Sequence, residues 1–308
     1  MSGRKRHTAE ETRTGDDRRG RIVTRYGAEM LVEDEGGLLH RCTARRRLEH
    51  AVCGDRVRWQ PAEQGNDIVT AIEPRHNVLE RPDHAGRAKP LAANIDRLLV
   101  VLAAEPPPSG ELVDRYLVAA MMLDAHAAIV VNKCDKGLGA AEVLVNEFRA
   151  LGCPVLETSA ATGKGIAALA DLMRGGTNIL VGQSGVGKSS LVKALLPDID
   201  IRIGDLSLAS GEGRHTTTAA TLYHLPDGGD LIDSPGVRDF MPASLDTAAV
   251  HRGFVEIAAL AADCRFADCS HRNEPGCAVR QAVQEGRVSE RRYASYLALL
   301  RETAEARR

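Results

Sequence analysis

From Gly20 to about Glu73, apolar and polar residues alternate in short runs, "RIVTRYGAEMLVED", "LLHRCTARRR", "DRVRWQPA" and "DIVTAIEP", broken by Gly, Asp and Asn turns. Alternation of period two places one face of each strand inward and the other in water, so this stretch predicts a small β-barrel. An OB-like fold is expected, because such barrels bind RNA or single strands across one open face. The next segment, "RHNVLERPDHAGRAKP", is rich in Pro, His and Arg and reads as a linker.

Beyond it the pattern changes. "RLLVVLA" is a continuous apolar run of the kind a strand covered on both faces needs. An amphipathic helix at about Glu111 to Leu123 follows, then the strand "AAIVVN", a helix at Ala140 to Leu151, the strand "CPVLETSA" and a helix near Ile166 to Met173. Strand and helix in alternation imply βαβ crossovers and a three-layer α/β sheet. After Asp239 the pattern is helical, interrupted by Cys and His residues. The expected architecture is therefore multidomain. A disordered basic tail (1–17) precedes an OB-like barrel (18–75), a linker with an α/β P-loop domain (76–241) and a small helical domain (242–308).

The net charge of -2 gives no global basic field, so nucleic-acid binding must rest on local patches. Arg4, Lys5, Arg6, Arg13, Arg18, Arg19, Arg21 and Arg25 form one such group, and Arg41, Arg45, Arg46 and Arg47 a second. The plain alternative is a solubilising tail and a solvated strand face. No run reaches the ~18 apolar residues of a membrane span, and no apolar signal core opens the chain, so a cytoplasmic protein is expected. Oligomeric state is not encoded in any readable pattern, and a monomer is the working expectation.

Candidate chemistry sharpens the picture. Gly182-Gln183-Ser184-Gly185-Val186-Gly187-Lys188-Ser189, continued by Ser190, satisfies G-x-x-x-x-G-K-[ST] between the strand "NILV" and the helix "SSLVKALL". The glycines let backbone N–H groups curl around phosphate oxygens, and the helix N-terminus adds its positive end. Lys188 would reach the β- and γ-phosphates and Ser189 would ligate Mg²⁺. Downstream, "DLIDSPG" places Asp233 and Gly236 in a D-x-x-G loop, the carboxylate in the outer shell of the Mg²⁺. Between them, one of Thr216, Thr217 and Thr218 could complete the magnesium coordination as a switch, and Thr217 is the residue chosen.

Asn132-Lys133-Cys134-Asp135 fits N-K-x-D. A carboxylate at Asp135 can accept from the N1–H and 2-amino groups of guanine, whereas adenine would leave it unpaired at considerable cost. This disfavours an ATPase. Lys133 would lie along the base and Asn132 would fasten neighbouring loops, while Ser159 and Ala160 of "TSA" would bring a backbone N–H near the guanine O6. The usual order of these guanine-nucleotide motifs has the phosphate loop first; here N-K-x-D and S-A precede it. A parallel sheet gathers its ligand loops at the carboxyl ends of its strands wherever the chain is cut, so the order implies a circularly permuted GTPase domain.

Seven cysteines without a secretion signal argue for thiols or a metal site rather than disulfides. Cys264, Cys269, His271 and Cys277 give C-x4-C-x-H-x5-C, a closed donor set suited to one structural Zn²⁺. Three reduced cysteines near a histidine are the alternative.

Taken together, "RYGAEMLVE", "GDRVRW", "AANIDRLLVV", "NKCDK", "GQSGVGKSSL", "GEGRHTTTAA", "DSPGVRDF" and "CRFADCSHRNEPGC" resemble the ribosome small-subunit-dependent GTPase A (RsgA) family from about Arg18 to the C-terminus. The resemblance implies an OB fold contacting ribosomal RNA, a permuted GTPase domain and a zinc-binding C-terminal domain. It also implies GTP hydrolysis stimulated by the small ribosomal subunit during late maturation and coupled to release. Val237 follows Gly236 where many GTPases carry a water-orienting glutamine, so intrinsic turnover should be slow. The family's histidine before its threonines maps onto His215, which would position the attacking water. A binding module whose hydrolysis is incidental, a GTP-sensing assembly placeholder, is the rival reading.

Overall fold

The computed structural model describes residues 17–44, 48–82, 88–198, 219–233 and 245–305. Five strands, β1 (Arg18–Tyr26), β2 (Glu29–Asp34), β3 (Leu39–Ala44), β4 (Arg56–Gln60) and β5 (Asp67–Ile72), form a barrel in the order β1-β2-β3-β5-β4, closed by β4 against β1. In β4 the alternation is plain: Arg56 and Arg58 are exposed while Val57 and Trp59 are fully buried. Trp59 fills a core with Ile22, Met30, Val32, Cys42 and Val69. Its indole N–H finds the Arg19 carbonyl at 3.3 Å, which meets the need of a buried ring for a polar partner.

The stretch expected to be a linker contains a two-stranded hairpin, β6 (Val78–Pro82) and β7 (Ala88–Ala93). Leu79 and Ala92 are buried in the core of the following domain, and Ala92 bridges Cys53 of the barrel. Burial against both neighbours makes these two stretches strands despite their prolines.

A parallel sheet follows, formed by β8 (Arg97–Leu102), β9 (His126–Val131), β10 (Val155–Glu157), β11 (Thr177–Val181) and β13 (Asp230–Asp233) in the order β10-β9-β8-β11-β13. Helices α1 (Gly110–Met122), α2 (Glu142–Ala150), α3 (Ile166–Met173) and α4 (Lys188–Leu195) connect it. Every residue of β11 is buried, as expected for a strand covered on both faces. One strand lies outside the expected βαβ pattern. β12 (Thr221–His224) runs antiparallel to β13 and pairs on its other side with β1, so barrel and α/β sheet are one eleven-stranded sheet.

Helices α5 (Thr247–Gly253), α6 (Val255–Ala261), α7 (Ala278–Gln284) and α8 (Glu290–Glu305) close the chain around Val250, Phe254, Ile257, Tyr296 and Leu299. Val118 of α1 belongs to the same core. Beside it Arg292, 2% exposed, donates to Asp114 of α1 at 2.6 Å and to Glu256 of α6 at 2.7 and 2.9 Å. Arg291 bridges Asp114 at 2.8 Å and Glu147 of α2 at 2.5 Å. Charges this deeply buried require partners of this quality.

Candidate nucleotide site and cysteine–histidine centre

The loops that leave β8, β9, β10 and β11, and the last residue of β13, lie at the carboxyl end of the parallel sheet, the position where open α/β folds bind their ligands. The phosphate loop after β11 needs glycine at two points. A side chain at Gly182 (φ 142°) would meet the Val101 carbonyl, and one at Gly187 (φ 94°) would meet the Asn132 amide. Lys188, 6% exposed, opens α4 and donates from Nζ to the Gly182 and Gln183 carbonyls at 2.6 and 2.7 Å, so its ammonium lies over the loop. Ser184, Gly185, Ser189 and Ser190 are exposed and Val186 is buried beneath them.

Asn132 and Lys133 are brought against this loop although they precede it by some fifty residues. Asn132 donates to the Val186 carbonyl at 3.0 Å, and its Oδ1 accepts the Ala160 N–H at 3.2 Å. One buried side chain therefore ties the phosphate loop to the S-A loop. Lys133, at φ 61°, donates to the Gly185 carbonyl at 2.6 Å and the Glu105 carbonyl at 3.0 Å. Cys134 is half-buried, and its N–H donates to the Thr158 carbonyl at 3.0 Å.

The Asp135 carboxylate is exposed and accepts from the buried Ser159 hydroxyl at 2.5 Å. That bond holds the carboxyl below its ordinary range. It is thus an oriented, ionised acceptor at the mouth of the site. The segment 103–108 was not among the expected site residues; only its carbonyl contact with Lys133 reveals it, and backbone acceptors leave no mark in a sequence.

Asp233 ends β13 two residues beyond the Asn178↔Leu231 pair, and lies opposite Thr221 of β12. Gly236, Val237, His215, Thr216, Thr217 and Thr218 lie outside the described residues, as do Arg45, Arg46, Arg47 and nearly all of the basic tail.

The second site is separate. Ligand atoms of Cys264, Cys269, His271 and Cys277 lie within 4.8 Å of one another, and the Cys264 and Cys277 sulfurs are each 3.5 Å from His271 Nδ1. A tetrahedral ion with ordinary Zn–S and Zn–N bonds separates such atoms by about 3.6 Å, so the donor set fits zinc in kind and in spacing. The Tyr293 hydroxyl fixes the His271 carbonyl, and the Glu274 carboxylate accepts N–H groups of Ser270, Arg272 and Asn273 at 2.9–3.0 Å. Those hydrogen bonds, the Ser270 hydroxyl first among them, hold the Glu274 carboxyl down at about 2.

The family model described as RsgA GTPase matches residues 72–242. A relative from Pseudomonas aeruginosa, named small ribosomal subunit biogenesis GTPase RsgA, is 43% identical over 304 residues, covering 96% of this chain and 90% of the relative. The crystal structure of YjeQ from Thermotoga maritima superposes with a TM-score of 0.74 at 29% identity over 94% of this chain and 99% of that one. The crystal structure of YloQ, a circularly permuted GTPase, gives 0.72 at 26% identity, covering 97% and 99%.

Proposed function

The chain belongs to the RsgA GTPase family and is a GTP hydrolase of small-subunit biogenesis, and on that premise we propose that the subunit itself stimulates its turnover late in maturation and that hydrolysis promotes release. The observation that carries the reading is the exposed, oriented Asp135 carboxylate, fastened through Asn132 to the phosphate loop. A guanine on Asp135 and phosphates in the Gly182–Ser190 loop would occupy one continuous site.

Within it Lys188 neutralises charge on the β- and γ-phosphates. Ser189 and Thr217 would hold Mg²⁺, with Asp233 in its outer shell, and the ion would neutralise charge on the phosphates. His215 positions the attacking water, a task that Val237 cannot perform. Zinc at Cys264, Cys269, His271 and Cys277 is structural: with four protein donors no position is open for substrate.

Ribosomal RNA meets the barrel on the exposed β1–β4 face, where Arg19, Arg56 and Arg58 line adjacent strands. Arg19 and Arg58 share one carboxylate, Glu73, at 3.5 and 3.7 Å, which leaves the group a net positive charge. No helix among the described residues is long and apolar enough to cross a membrane, and we place the protein in the cytoplasm as a monomer.

The test is GTP turnover with and without purified small subunits, in wild type and Asp135→Asn. Large stimulation is expected. The variant should lose GTP by roughly 10²-fold or more, the value of two hydrogen bonds to a charged acceptor, and gain xanthosine triphosphate. Absence of stimulation would favour the placeholder reading.

A further inference from the structure

Besides the Cys53–Ala92 bridge, the barrel joins the GTPase sheet along a seam between β1 and β12. β1 leaves β4 after Arg21 but stays paired with β2 past a bulge between Ile22 and Thr24, and on the edge that β4 has left Thr24 pairs with Thr221 of β12. Thr221 in turn lies directly opposite Asp233 on β13. Thr24, Thr221 and Asp233 therefore form a straight row across three strands, from the barrel to the residue that ends the D-x-x-G strand.

The two threonines of the row are dry and bonded. Thr24 is 0% and Thr221 2% exposed; the Thr24 hydroxyl donates to the Ala220 carbonyl at 3.1 Å and lies 3.2 Å from the Thr221 hydroxyl. The far end of the seam is fastened independently. Arg21 of β1 reaches Asp230 at 2.5 Å and Thr177 at 2.6 Å, and His224 of β12 joins Asp230 at 2.6 Å to Glu33 of β2 at 2.8 Å.

We propose that Thr24 is a positioning residue for Asp233: the hydroxyl of a barrel strand fixes the lateral position of β12, and through it the carboxylate that faces the magnesium shell. A barrel clamped on RNA would then set that carboxylate without touching nucleotide. Losing the hydroxyl removes the bond to the half-buried Ala220 carbonyl, which favours displacement of β12 at this end while the charged bolts hold the other. The inference rests on the reading of Asp233 as a magnesium-shell residue.

Thr24→Val keeps shape and removes the hydroxyl. GTP turnover measured against free Mg²⁺ should show a roughly two- to tenfold higher half-saturating concentration, the range of one buried hydrogen bond. Affinity for fluorescent GDP in EDTA should be unchanged, because the phosphate and base loops keep their own contacts. Thr24→Ser should restore the wild-type curve. Should Thr24→Val fail to fold by circular dichroism, Thr221→Val removes the facing hydroxyl and is expected to shift the curve likewise. An unchanged magnesium curve, equal weakening in EDTA, or a serine variant that behaves like valine overturns the proposal. Asp233→Asn serves as reference: if it leaves the magnesium dependence intact, the reading of Asp233 fails, whereas a shift there with a silent Thr24→Val fails the row alone.

Discussion

Arg292→Met is expected to uncouple the helical C-terminal unit from the GTPase domain. The substitution removes three charge-assisted hydrogen bonds, at 2.6, 2.7 and 2.9 Å, and a guanidinium 4.1 Å above the Phe254 ring. Methionine fills much of the space, so the cost comes from the acids left behind. Asp114, 0% exposed, keeps Arg291 at 2.8 Å, and the Glu256 side chain, 13% exposed, can be partly rehydrated. Removing one member of a buried ion network costs about 3–5 kcal/mol, and these two reliefs place the estimate near the lower end. With a urea slope of about 1–2 kcal/mol/M for a unit of this size, the midpoint of its transition should fall by about 1.5–3 M.

Because the chain has several cores, the loss must be read locally. Urea denaturation by circular dichroism is paired with hydrogen exchange of peptides from 110–122 and 290–305. Exchange in α8 should accelerate by roughly 10²-fold at the same energy. Arg292→Lys should fall between, since one ammonium cannot fork across two carboxylates. A midpoint shift below about 0.5 M, with unchanged exchange, would refute the claim that these ions are desolvated and mutually dependent.

Two further outcomes are expected. Hydrogen bonds to Asp230 and then Glu33 raise the His224 pKa to about 9 from 6.5; its stabilisation of the seam is fully present below about 6.5 and is lost as pH rises through about 9. Thermal melts of wild type and His224→Gln should therefore differ at pH 6 and converge by pH 10, and a constant gap would sink the assignment. Cys264→Ser should abolish zinc retention by elemental analysis and speed hydrogen exchange across α6–α8, while emission from Trp59, the sole tryptophan, stays at its wild-type position because the barrel has its own core.

Motifs with a fixed spacing were legible because their chemistry demands it. The phosphate loop lies between β11 and α4, N-K-x-D follows β9, the four Cys/His ligand atoms lie within 4.8 Å of one another, and α3 spans the expected Ile166–Met173. The misses are long-range. β6 and β7 carry prolines and charges that locally read as linker, and only burial of Leu79 and Ala92 makes them strands. β12 is four residues long, too short for a period, and its partner in the barrel is about two hundred residues away in the chain. The buried ions could not be read either: Asp114, Arg291 and Arg292 each look like solvated helix positions until α1 and α8 are packed together.

The continuous sheet has a colloidal consequence. One end of the eleven strands is wound into a barrel, which hides its backbone donors and acceptors, so the outer strand at the other end is β10. That strand is three residues long, and its last residue, Glu157, is paired with Arg149 at 2.7 Å. A short, charged rim offers little template for strand addition by another chain. The chain thus carries a long sheet with hardly any adhesive edge.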